Sequence, residues 1–66
     1  MRNEIKARRT ERRLSQAELG ELLGVSRQTV IAIENGKYDP SLPLAFKLAS
    51  VFEASIEDLF DPDEEG

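Results

Sequence analysis

The chain has 66 residues, 39% of them hydrophobic, with 9 Lys or Arg against 13 Asp or Glu and a net charge of -4. That length gives one small domain with a single core, burying only ~60% of the surface its unfolded chain exposes. With no Cys and no His, disulfide stapling, a zinc finger, Cys redox chemistry and His-based acid/base or nucleophilic catalysis are excluded, so no enzyme, metal or cofactor is expected. The longest uninterrupted apolar run, Val30 to Ile33, falls far short of the ~20 residues that span a bilayer. Met1-Arg2-Asn3-Glu4 does not lead into a signal-peptide core, and a soluble cytoplasmic chain is expected.

The charge is segregated. Residues 1 to 37 hold eight of the nine basic residues and five acids, a net of +3, whereas residues 38 to 66 hold Lys47 and eight acids, a net of -7. A two-sided molecule of this kind can dock a polyanion on its basic end in spite of its negative total.

Helical periods dominate throughout, and five short helices can be drawn. The first covers about Asn3 to Arg12, with Ile5 as its main apolar residue. Ser15-Gln16-Ala17-Glu18 is a capping box that starts the second, which ends near Gly24 in a left-handed stop. Ser26 caps the third, in which Val30 and Ile33 share a face, and Asn35-Gly36 terminates it. After a loop from Lys37 to Pro40, Ser41 caps the fourth, with Pro43 in its first turn and Leu44, Leu48, Val51 and Phe52 as its apolar stripe. Ser55 to Phe60 is a capped turn or two carrying Ile56, Leu59 and Phe60. The expected organisation is a domain over residues 1–60 and an acidic disordered tail over residues 61–66, beginning at Asp61.

Residues 16 to 35, QAELGELLGVSRQTVIAIEN, carry the functional signal. Helices that cross over a short turn need a small residue at the crossing, which Gly20 supplies, while Gly24 supplies the turn. With Val30 and Ile33 inward, Gln28, Ala32 and Asn35 face outward and Arg27 and Ile31 lie on the flank. A guanidinium bonds O6 and N7 of guanine, a carboxamide bonds N6 and N7 of adenine, and Ala32 or Ile31 suits a thymine methyl. Gln16, at the positive end of the second helix, suits a phosphate, as do Asn35 and Lys37 after the third.

These stretches resemble one family. Leu14-Ser15-Gln16-Ala17-Glu18-Leu19, Leu23-Gly24-Val25-Ser26-Arg27-Gln28-Thr29, Ile33-Glu34-Asn35-Gly36-Lys37 and Leu44-Ala45-Phe46-Lys47-Leu48-Ala49 stand in the order and spacing of the Xre/Cro helix-turn-helix regulators, which include phage repressors and restriction-control proteins. The likeness covers about residues 2 to 60. It implies an all-α, five-helix, lambda-repressor-like DNA-binding domain whose helix-turn-helix is formed by helices 2 and 3 and which reads an inverted-repeat operator as a homodimer. Carried over by residue, Arg27, Gln28 and Ala32 resemble base readers. Gln16, Ser26, Thr29, Asn35 and Lys37 resemble phosphate contacts, and Arg9 with Glu34 resembles the family's structural ion pair. Arg13 and Glu53 stand where the family usually has glycine.

Several residues admit a second reading. Arg8, Arg9, Arg12 and Arg13 suit either a phosphate-facing patch or an ordinary solvated helix face, with Arg9 favoured for a structural role. Tyr38 suits loop packing as well as a phosphate. Ile56, Leu59 and Phe60 suit the core, and one or two of them are candidates for the dimer contact, together with the loop before the fourth helix. The functional expectation is a repressor that occupies double-stranded DNA, with no small-molecule effector. The alternative is a protein-interaction module on the same fold without specific DNA recognition.

Overall fold

The computed structural model describes residues 2–61. The chain runs through β1 (Arg2–Asn3), α1 (Ile5–Glu11), α2 (Gln16–Leu23), α3 (Arg27–Glu34), α4 (Leu42–Phe52), α5 (Ile56–Leu59) and β2 (Phe60–Asp61). Serine starts four of the five helices: the hydroxyls of Ser15, Ser26, Ser41 and Ser55 each accept a bond from a backbone N–H in the first turn, and each such cap contributes about 1 kcal/mol. At α2 and α5 the cap is reciprocal, with Glu18 and Asp58 reaching back to the backbone N–H of Ser15 and Ser55. Pro43 sits in the first turn of α4, where its missing N–H has no bond to lose.

The helices close over one core of Ile5, Leu19, Leu23, Val30, Ile33, Leu44, Ala45, Leu48, Phe52, Leu59 and Phe60. Phe52 at the end of α4 is fully buried, and deleting such a ring costs about 3–5 kcal/mol. α2 and α3 pack intimately because of Gly20. A Cβ there would stand 2.8 Å from the carbonyl oxygen of Val25, closer than nonbonded atoms tolerate. Gly24 then turns the chain with φ of 77°, a value that costs an L-residue strain and glycine none.

Three features depart from the sequence expectations. The first helix starts at Ile5 rather than near Asn3, because Asn3 belongs to a strand: β1 pairs antiparallel with β2, Arg2 opposite Asp61 and Asn3 opposite Phe60. Asp61 is therefore part of this pairing and not the start of a tail. The remainder of the expected tail, residues 62–66, lies outside the described residues. The third departure concerns Leu59 and Phe60: of the three candidates for a dimer contact, these two are core residues at 0% and 8% exposure. The strand pairing explains this, since β2 follows α5 directly and holds Phe60 against the core. Ile56 is half-buried and packs on the core edge.

Arg13 and Glu53, at the positions where glycine is usual in the family, both take left-handed backbone, φ of 59° and 52°. Arg12 donates from Nη2 to the Phe52 carbonyl at 3.0 Å and lays its guanidinium 5.7 Å from the centre of the Phe52 ring. The end of α1 is thus tied to the end of α4.

Candidate nucleic-acid interface

The outward face of α3 opens with Arg27 and Gln28, both exposed, while Ala32, one turn later, is half-buried. Val30 and Ile33, buried on the opposite side, hold this orientation. Ser26 and Thr29 lie at the same helix start. The Ser26 hydroxyl accepts from the Thr29 N–H at 3.2 Å and shares a 3.1 Å hydrogen bond with the Thr29 hydroxyl. At the far end of α3, Asn35 caps the helix, Gly36 turns the chain with φ of 75°, and Lys37 is exposed. The residues singled out from sequence around α3 therefore lie at its two ends and along one face.

Beneath them runs a polar network that joins α1, α2 and α3. Arg9 donates from Nε to Glu34 Oε2 at 2.6 Å and from Nη2 to Oε1 at 3.4 Å; its Nη1 donates to the Leu14 carbonyl at 2.8 Å. The two side chains are only 10% and 3% exposed. A charge buried this deeply needs its partner, and removing one side of such a pair costs about 3–5 kcal/mol. Glu34 Oε1 also accepts from Gln16 Nε2 at 3.2 Å, and Gln16 Oε1 accepts from Arg27 Nε at 3.4 Å. Among the described residues no buried side-chain nitrogen or oxygen lacks a partner. Arg9, Ser15, Gln16, Ala17 and Arg27 line an open cleft at the start of α2, where free backbone N–H groups and the helix dipole favour an anion.

Some contributors are invisible in local sequence pattern. Asn3 donates from Nδ2 to the Ile33 carbonyl at 2.7 Å while its Oδ1 accepts from the Ile5 N–H at 3.1 Å, tying β1 to the end of α3. Lys47 donates to the Leu23 carbonyl at 3.3 Å, closing the end of α2 with a cation. Leu22, Tyr38, Leu42 and Phe46 are large apolar side chains left exposed; of these only Tyr38 lies in the loop that the sequence offered as part of a dimer contact. Among the described residues no group of His, Cys, Asp or Glu is placed to hold a metal ion, and no helix is long and apolar enough to cross a membrane.

The helix-turn-helix family profile matches residues 5–59. The chain belongs to the helix-turn-helix transcriptional regulators, of the Xre/Cro type. An HTH-type transcriptional regulator of Methanocaldococcus jannaschii is 58% identical to this regulator over 60 residues, covering 91% of each chain. Another from Bacillus subtilis, YgzD, is 49% identical over 65 residues and covers 98% of each. Among solved structures, the restriction-modification controller protein C.AhdI of Aeromonas hydrophila superposes with a TM-score of 0.77 at 33% identity over 86% of each chain. The N-terminal DNA-binding domain of SinR from Bacillus subtilis gives 0.77 at 31% identity, covering 92% of this regulator and 90% of that domain. The helix-turn-helix is α2 and α3, the two helices that Gly20 allows to pack at contact distance.

Proposed function

We propose that this regulator binds double-stranded DNA sequence-specifically as a cytoplasmic homodimer, reading an inverted repeat through the major groove and repressing by occupancy. The observation that carries the reading is the outward pairing of Arg27 and Gln28 at the start of α3. These two side chains have the donor and acceptor geometry that distinguishes guanine and adenine from the other bases, and Ala32 lies one turn on for a methyl contact. In this reading Gln16, Ser26 and Thr29 at the start of α3 and Asn35 and Lys37 past its end bond phosphates on the two sides of the groove. Arg9 and Glu34 serve the scaffold.

The surface that joins two copies in this reading is the loop and first turns of α4, with Tyr38, Leu42 and Phe46. Leu42 and Phe46 are 64% and 59% exposed, and no charge interrupts the chain between Asp39 and Lys47. In a two-fold contact a residue of one copy meets a different residue of the other, and the reverse contact follows. Asp39 at one rim and Lys47 at the other are then complementary. This surface adjoins Lys37, so it sets the separation of two α3 helices.

Selection of bound duplexes from a random DNA pool, at near-physiological salt with nonspecific competitor, tests the reading. The expected survivors share an inverted repeat with half-site centres about one helical turn apart. Survivors without a shared sequence, from folded protein, would favour a protein-interaction module on the same fold.

A further inference from the structure

Asn3 lies outside the helix-turn-helix, yet its side chain reaches the end of α3. Nδ2 donates to the Ile33 carbonyl at 2.7 Å, and Oδ1 accepts from the Ile5 N–H at 3.1 Å. A carbonyl only accepts hydrogen bonds and a backbone N–H only donates them, so the carboxamide has one permitted orientation. Its backbone is held as well. Asn3 pairs with Phe60 in the terminal ribbon, and the next N–H, that of Glu4, donates to the Leu59 carbonyl at 2.8 Å. The side chain therefore projects from a fixed base, and its bond to Ile33 joins positions 30 residues apart.

The consequence falls on the turn after α3. There the Gly36 N–H donates to the Ile33 carbonyl and the Lys37 N–H to the Ala32 carbonyl, both at 3.0 Å, the closure in which a left-handed residue, here Gly36, ends a helix. Asn35 and Lys37, both exposed, project from this one turn. A carbonyl oxygen has two lone pairs, and Asn3 takes the one that Gly36 leaves on Ile33, so the turn is bonded from within and from β1. A phosphate contact made from a loose turn loses the entropy of ordering that turn on binding. We infer that Asn3 is a positioning residue for DNA, which holds Asn35 and Lys37 in place before DNA arrives, so that the ribbon of β1 and β2 supports the interface without touching it. This rests on the reading of Asn35 and Lys37 as phosphate contacts. The gain is common to all sequences, because phosphates carry no base identity.

Equilibrium binding separates this role from a merely structural one. The probes are a duplex recovered by selection and single-base variants of it. The full-length parent, Asn3→Ser, the pair Asn35→Ala with Lys37→Ala, and the combination of all three are compared at a temperature where denaturation shows each of them folded. Serine is neutral and its hydroxyl can still accept from the N–H two residues on, but it is too short to reach Ile33. Asn3→Thr, with the same hydroxyl on a better strand residue, repeats the test. Asn3→Ser is expected to weaken binding about three- to tenfold, by the same factor on every duplex. In the protein that already lacks the Asn35 and Lys37 side chains, the same change should weaken binding no further. An Asn3→Ser protein with the parent's affinity would overturn the inference. So would a loss of the same size with and without Asn35 and Lys37, which would leave Asn3 a general structural role, or a changed base preference, which would mean that α3 itself had moved. If the pair Asn35→Ala with Lys37→Ala keeps the parent's affinity, the phosphate reading of those two residues fails and the inference with it.

Discussion

The turn between α2 and α3 and the turn between α4 and α5 both leave a helix through left-handed backbone, but they use different residues. Gly24 takes φ of 77° in the first and Glu53 takes φ of 52° in the second. The first turn must also bring the backbone of Val25 to within contact of Gly20, where a Cβ would meet the carbonyl at 2.8 Å. Glycine there is a steric requirement of the unit that presents Arg27 and Gln28. The α4–α5 turn only has to return the chain so that Leu59 and Phe60 reach the core, and the strain of Glu53 is offset by the burial that follows. Geometry is specified most tightly where two helices pack at backbone contact distance.

The largest effect is expected at the ion pair that joins α1 to that unit. Glu34→Ala leaves Arg9 buried without its counter-charge and should destabilise by about 3–5 kcal/mol in chemical denaturation; a loss below about 1 kcal/mol would mean that water replaces the carboxylate. Gly20→Ala forces a methyl group onto the Val25 carbonyl and should cost about 1–3 kcal/mol, together with a fall in DNA affinity as the two helices move apart. Gly24→Ala tests the first turn alone, since nothing but Lys47 Nζ at 3.9 Å approaches a Cβ there; the cost should be about 1 kcal/mol, from backbone strain. Glu53→Gly relieves the second turn and should raise stability by about 0.5 kcal/mol, the strain released being partly cancelled by the added freedom of the unfolded chain. Lys37→Ala should leave the denaturation midpoint where it is and lower the slope of log affinity against log salt by about 1.

The contrast between the two turns also shows what the sequence discloses and what it withholds. Gly20, Gly24 and the serine caps are legible because each acts within a few residues of itself. The inward pairing of Val30 and Ile33 follows from a single helical period, and it orients Arg27 and Gln28 without further information. The pairing of β1 with β2 joins residues almost at opposite ends of the described chain, and two-residue strands have no period to read. The burial of Phe60 depends on that pairing, and α5, at four residues, is too short for its pattern to show which of Ile56 and Leu59 is covered. On α4, Leu42 and Phe46 repeat the spacing of Leu44 and Leu48, but the longer row that runs on to Phe52 is legible in the sequence and is the one buried. The bonds from Asn3 to Ile33, from Lys47 to Leu23 and from Gln16 to Glu34 are likewise products of the fold, invisible until the helices are assembled.

The central claim is that the exposed start of α3 reads bases, and Gln28 tests it most directly. The affinities of the parent and of Gln28→Ala should be measured for every single-base variant of a selected duplex. The account predicts that Gln28→Ala loses about 1–3 kcal/mol of discrimination at one base position in each half-site and keeps the parent's preferences elsewhere. An unchanged preference at every position would contradict it.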